Sequence, residues 1–401
     1  MLPVFRQHFF HFLSFIMSIK IGFLSYYSSI YPDMASDMVA GFFAALPEGI
    51  VQENFFLFVP EYMRQAGNKY AIEGVQKLIS FDRVDIISGL ISYRVVPDIV
   101  QLVERQNRLG FFMDMGEYIP YNHHISDRLF FNSFQYWQSE YALGFWAHKT
   151  FGELGSVVMS LFDSGFHLQN AFRQGAILAG ASAIEFSVLT DDPGRLNVTD
   201  KTRAYIARIE QAPPKYVHAI LCGKEAIDFM KVYRESSLYS KVPLIISAHM
   251  ASEDILDQID TDLSVYAASL YNYGNIDKYN TAFKKNYEFK AGRKANVFSL
   301  MGFEMGLVML ELMPLLRKRD FVTAAQQLKT QTIRSPRGER SFYLDSSYAL
   351  PVIDIEKVDV QNRQVKKIVV EQGRALKYNH AIYDEIHSEC VSGWQNPYLC
   401  V

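Results

Sequence analysis

Side chains able to grip a small organic molecule recur at intervals along this 401-residue chain. Ser25, Tyr26 and Tyr27 stand together, with Tyr31 a little later. Ser92 and Tyr93 follow Gly89, and Gly116, Glu117 and Tyr118 form a third group. Asp163, Ser164 and Phe166 come next, then Cys222, Gly223 and Lys224, then His249. Aromatic faces, hydroxyls, glycine-exposed amides and a few charges are what a ligand cleft uses: apolar walls with polar groups that fix orientation. The candidate ligand-binding residues are therefore Tyr26, Tyr31, Ser92, Tyr93, Gly116, Glu117, Tyr118, Phe166, Cys222, Lys224 and His249. Each has a plainer use. Ser92 can cap the helix that opens near Pro97, any single tyrosine can be core, and a lone histidine is more often hydrogen-bonded into the structure than a contact for a ligand.

Other chemistry finds little support. Asp163 and His249 could meet across a cleft, but no activated nucleophile or metal set accompanies them, so the chain is read as a binder and not an enzyme. The adjacent His123 and His124 would point apart on a helix or strand, which disfavours a metal site. GxGxxG, GxxxxGK[ST], HExxH and GxSxG are all absent from the sequence, and no cofactor is expected. Asn197, Val198 and Thr199 fit a glycosylation sequon, a pattern short enough to arise by accident.

Composition sets the frame for these groups. Apolar residues make up 49% and charged residues 21%, which excludes a disordered chain. Net charge is −3 and the pI about 6.4, so nothing steers the protein toward nucleic acid. The length exceeds what one core usually organises and favours two lobes. The three cysteines form no CxxC pair, which argues against structural zinc. Cys390 and Cys400 either close a small loop or remain free thiols. Residues 8–17, apolar and preceded by Arg6, look like the core of a secretory signal but lack a small-x-small cleavage site before Ile19. The alternative is translation from Met17, beginning MSIKIGF. Ten residues are too few to span a bilayer, and no other stretch is read as a membrane span.

The elements that must position the candidate residues follow from periodicity. Strands are expected at 19–25, 55–61, 84–90 and 110–114, with helices at 33–46, 68–80 and 97–107 between them. A second block repeats the alternation: helix 139–152, strand 155–163, helix 167–180, strand 182–190, helix 199–211, strand 216–223, helix 224–236 and strand 243–248. Continuous apolar strands alternating with helices mean parallel sheets covered on both faces. Beyond Asp262 come a strand at 263–271, an apolar helix at 296–313 that Pro314 should end or kink, and a helix at 320–331. A turn at 334–342 leads to strands at 341–345, 349–359 and 364–372. No fold is assigned from Gly373 onward. In an open parallel sheet, ligands bind beyond the carboxyl ends of the strands, where the candidate residues fall.

The arrangement resembles the type I periplasmic binding proteins of the leucine/isoleucine/valine-binding kind, solute receptors of ABC transporters. The resemblance rests on IKIGFLS with the later Gly41, on GVQKLISFDRVDIISGLIS (74–92), on GELGSVVMSLFDSGF (152–166) and on PRGERSF (336–342), in that order over roughly residues 18–370. It implies two Rossmann-like α/β lobes joined by three hinge crossovers, lobe one holding 18–133 and 262–331, lobe two 134–261 and 332–372. It also implies serine-loop contacts at Ser92 and Tyr93, contacts at Gly116, Glu117 and Tyr118, a closing aromatic at Phe166, and His249 where amino-acid binders often carry an acid. A histidine there cannot replace a carboxylate for an ammonium, and Tyr93 and Tyr118 stand where small hydroxyl residues usually serve. The expected ligand is thus an amino acid, amide, aromatic or related small organic molecule, the expected partner a membrane permease, and the expected location of the chain the periplasm. The alternative is a cytoplasmic ligand-sensing regulator of the amide-sensor kind, favoured if translation starts at Met17.

Overall fold

The structure, a computed structural model, describes residues 18–28, 30–64, 68–121, 125–161, 166–189, 197–342 and 350–388. Arg6, Met17, His123, His124, Asp163, Ser164, Cys390 and Cys400 lie outside the described residues.

Five parallel strands make the first sheet: β1 (Ile19–Ser25), β2 (Phe56–Tyr62), β3 (Ile86–Leu90), β4 (Leu109–Asp114) and β5 (Leu129–Ser133), in the order β2-β1-β3-β4-β5. Every residue of β3, β4 and β5 is buried, as strands covered on both faces require. Helix α1 (Met34–Ala45) crosses a long helix, Val297–Arg317, closely enough that a Cβ on Gly41 would sit 2.0 Å from the Ser299 carbonyl oxygen. A Cβ on Gly302 would meet the Met38 carbonyl oxygen at 1.9 Å. Glycine at both positions is what lets the two helices approach.

The second sheet has seven strands. Four come from the second sequence block: β6 (Gly155–Met159), β7 (Ile184–Val188), β8 (Tyr216–Ile220) and β9 (Leu244–Ile246). They are joined by β10 (Leu263–Ser269), Asp354–Gln361 and Gln364–Gln372. Pairing is parallel as far as β10 and antiparallel for the last two strands. The two-lobed α/β architecture with three crossovers is as the sequence implied.

Several details differ. Strand β10 lies between β9 and Asp354–Gln361, inside the second sheet, so the chain leaves that lobe after Ser269 and not at 262. Strand β5 was not anticipated. The long helix runs through Pro314 to Arg317, because a proline so near the helix end forfeits little of the ladder. That helix is also long and apolar enough to cross a membrane, but 72% of its most apolar window is buried inside the protein, where it serves as a core helix. The 334–342 segment is itself a small hairpin, Ile333–Ser335 with Gly338–Arg340, and the expected 349–359 strand begins only at Asp354. Ser341 and Phe342 are not in a strand, and 343–345 fall outside the described residues. The tail forms a helix, His380–Ser388, whose Tyr383 and Ile386 are buried. Tyr383 meets Trp137 edge-on and the His387 ring stacks on Tyr121.

The crossovers are tied down by polar groups. At the first, Gly116 (φ +78°) lies so close to Gln135 that a Cβ would stand 2.4 Å from the Gln135 Cα, and Ser133 Oγ donates to Asp114 Oδ2 at 2.6 Å. At the third, Arg337 Nη2 donates to Glu304 Oε2 at 2.6 Å and to Asn132 Oδ1 at 2.9 Å, and its guanidinium lies 4.5 Å over the Phe134 ring. Asn132 Nδ2 in turn donates to Glu304 Oε2 at 2.9 Å. The PRGERSF motif thus anchors the return crossover on β5 and on the long helix.

Candidate functional site

A cavity of about 490 Å³ opens between the lobes. Lobe one supplies Tyr26, Ile30, Tyr31 and Met34 from the turn after β1 and the start of α1, and Leu90 and Met115 from the ends of β3 and β4. It also supplies Asn296 and Phe298 at the start of the long helix. Lobe two supplies Tyr136, Gly223, Lys224, Ile227, His249, Ser252 and Asp254. A second cavity of about 260 Å³ abuts it on the hinge side, sharing Tyr136, Ser252, Asp254 and Asn296.

The floor is apolar and aromatic. Leu90, Met115, Tyr136 and His249 are all buried there, and Tyr31 packs edge-on against Phe298 with ring centroids 5.0 Å apart. The rim is charged, with its cations already paired. Arg293 bridges Asp37 (2.6 Å) and Asp33 (3.0 Å), Asn296 Nδ2 donates to Asp37 at 2.7 Å, and Lys224 pairs with Asp228. Contacts also cross the cleft. Lys294 of lobe one pairs with Glu253 of lobe two, and the Tyr31 phenol lies against Ser252 and Asp254. Burial first, then the Asp254 charge, pushes the Tyr31 phenol up. Although Asp254 stands exposed at the rim, the surrounding protein raises its carboxyl too.

His249 follows β9 and is 4% exposed. Its Nε2 reaches the Leu221 carbonyl oxygen at 3.0 Å, and its Nδ1 has no hydrogen-bond partner among the described residues. Burial lowers its pKa to about 4, so the ring is neutral at neutral pH.

Of the residues singled out from sequence, Tyr26, Tyr31, Lys224 and His249 line the cavity. Gly223 lines it too, whereas Ser92, Tyr93, Gly116, Glu117, Tyr118 and Phe166 do not, because they are packed around the first crossover. Ser92 precedes a 3-10 turn (Tyr93–Val95) without capping it, and its hydroxyl faces the Glu117 carboxyl. Tyr93 packs on Tyr121 and Phe131, and Tyr118 on Phe166 and His167. Gly116 is the close approach at Gln135, and Phe166 is 2% exposed. Cys222 is fully buried and disulfide-bonded, so it offers no thiol to a ligand. Glu117 is buried beside Asp114. Burial chiefly, and Asp114 next, hold the Glu117 carboxyl well above the usual range, and burial lifts Asp114 to about 6.

Reasoning from strand ends alone missed Tyr136, Asp254, Asn296 and Phe298, which come from helix starts and the hinge. A usable signal existed at one of them: Asn296 and Ser299 form a capping box.

Comparison with known proteins agrees with the fold. A family model described as periplasmic binding protein matches residues 18–347. No curated protein matches the chain. An ABC transporter substrate-binding protein from Sphaerobacter thermophilus is similar at 20% identity and TM-score 0.74, over 89% of this chain and 98% of that one. A solute-binding protein from R. palustris in complex with 4-hydroxybenzoate is similar at 17% identity and TM-score 0.71, over 90% and 98%. A branched-chain amino acid transporter substrate-binding protein from Streptococcus pneumoniae in complex with isoleucine is similar at 13% identity and TM-score 0.66, over 88% and 99%.

Proposed function

From the premise that the chain belongs to the periplasmic binding protein family, we propose that it is the solute receptor of an ABC-type importer. It captures a small organic ligand between its lobes and presents the closed form to a membrane permease. The observation that carries this reading is the interlobe cavity of about 490 Å³, walled by both lobes and bridged by Tyr31 with Asp254 and by Lys294 with Glu253. A ligand touching both walls adds contacts that exist only when the lobes are together, and so shifts the population toward closure. The disulfide at Cys222 suits an oxidising compartment, and with it the periplasm over a cytoplasmic sensor.

The lining favours an aromatic or amide ligand over a free amino acid. An amino acid buries an ammonium and a carboxylate, each costly without a partner. The ammonium decides: the acids Asp37 and Asp228 are already paired with Arg293 and Lys224, and the floor holds a neutral histidine where an ammonium needs an anion. The 4-hydroxybenzoate of the R. palustris neighbour is accordingly the first ligand to try, ahead of the isoleucine of the S. pneumoniae one. Thermal-shift screening against amino acids, amides and aromatic acids, followed by calorimetric titration, tests this. A stabilising one-to-one ligand is expected among the aromatic acids or amides, and no ligand across the panel would refute the receptor reading.

A further inference from the structure

The most specific chemistry in the cavity is at His249. A carbonyl oxygen only accepts hydrogen bonds, so the 3.0 Å contact from Nε2 to the Leu221 carbonyl places the ring hydrogen on Nε2. Nδ1 is then a bare lone pair, buried and unpartnered among the described residues, on a side chain that lines the cavity. Tyr136 stands beside it, ring centroids 5.9 Å apart, and Leu90 and Met115 complete an apolar floor. A buried acceptor left unmet costs free energy, which a ligand that supplies a donor relieves. A carboxylate at the same point would face the lone pair and lose its hydration without gaining a partner.

We propose that the inner end of the cleft selects a small aromatic ligand by a neutral hydrogen-bond donor, a phenolic hydroxyl or a primary amide N–H, given to His249 Nδ1. Any carboxylate on the ligand then points outward, to the polar rim. Tyr136 and the Tyr31–Phe298 pair supply the aromatic walls that make a flat ring the matching shape. The inference rests on the receptor reading and names the ligand class of that same cleft.

Calorimetric titration of the whole protein with two sets of probes tests it. One set is 4-hydroxybenzoate, benzoate and 4-methoxybenzoate; the other is benzamide and N,N-dimethylbenzamide. In at least one set, the donor-bearing probe is expected to bind at least about tenfold more tightly than its donor-free analogues. The set that discriminates tells hydroxyl from amide. His249→Phe should reduce that preference to within about threefold, while His249→Gln, which keeps an acceptor, should retain it. Thermal melts of both variants establish that they fold. Binding without donor preference, or a preference that survives in His249→Phe, overturns this inference and leaves the receptor reading standing. If neither variant folds, the comparison within wild type decides alone. Absence of binding by every probe overturns this inference, and the broader ligand panel then decides the receptor reading separately.

Discussion

Glu304 and Glu117 are both buried near the crossovers, yet their surroundings are opposite. Glu304 faces the Arg337 guanidinium at 2.6 Å, accepts from Asn132, and has its carboxyl pulled below the ordinary range although burial pushes it up. Glu117 makes no ion pair among the described residues and has Asp114 as its charged neighbour, so burial and like charge both raise it. The first arrangement fixes a crossover. The second raises both carboxyls in the interior, just past the carboxyl end of β4. Burial alone therefore does not tell an acid held ionised from one held toward its neutral form; the counter-charge does.

The largest expected effect breaks the paired side. Arg337→Met leaves Glu304 buried without its cation, and urea unfolding at neutral pH should show a loss of about 3–5 kcal/mol. A loss below about 1 kcal/mol would mean the pair does not hold the crossover. The unpaired side should behave differently, since Glu117→Gln removes a group that already favours its neutral form. Its stability at neutral pH should stay within about 1 kcal/mol of wild type or rise.

The pH dependences should have opposite signs. For Asp114 and Glu117 the folded pKa is raised, so the native state holds protons that the unfolded chain has released. Their contribution is present below the unfolded pKa and is lost as pH rises through the folded one, about 6 for Asp114. For Glu304 the folded value is lowered, so its contribution is present above the unfolded pKa and is lost as pH falls through the folded one. Urea midpoints between pH 4 and 7 should therefore fall less steeply with rising pH in Glu117→Gln than in wild type. The smallest effect is expected from Lys294→Ala, which removes a partly exposed cross-cleft pair with Glu253. Such pairs are worth about 0–1 kcal/mol, so ligand affinity should weaken by no more than about fivefold.

Much of the fold was legible because buried parallel strands and amphipathic helices carry distinct periods. Asn68–Ser80 matches its expected span, and Gln364–Gln372 does also. Strand β5 was missed because its five residues end in Asn132 and Ser133, whose side chains serve the crossover. Strand β10 was read correctly as a strand but given to the wrong lobe, because its partner Asp354–Gln361 arrives some ninety residues later. The lining of the candidate site was half legible. Strand ends led to His249 and Lys224, and the loop after β1 to Tyr31. Ser92, Glu117 and Tyr118 also follow strand ends, but Gly116 draws β4 against Gln135 and closes that region into packing. Tyr136 and Asp254 depend on how the lobes meet, which no local pattern encodes.

The central claim is that the space between the lobes is the binding site. Calorimetric titration of 4-hydroxybenzoate, benzamide and isoleucine into wild type and into Ser252→Trp, which places an indole at a position lining both cavities, tests it most directly. The account predicts one-to-one binding of an aromatic probe to wild type and at least a hundredfold weaker binding to a Ser252→Trp variant that melts normally. Equal affinity in the two proteins, or isoleucine binding in preference to both aromatic probes, would contradict it.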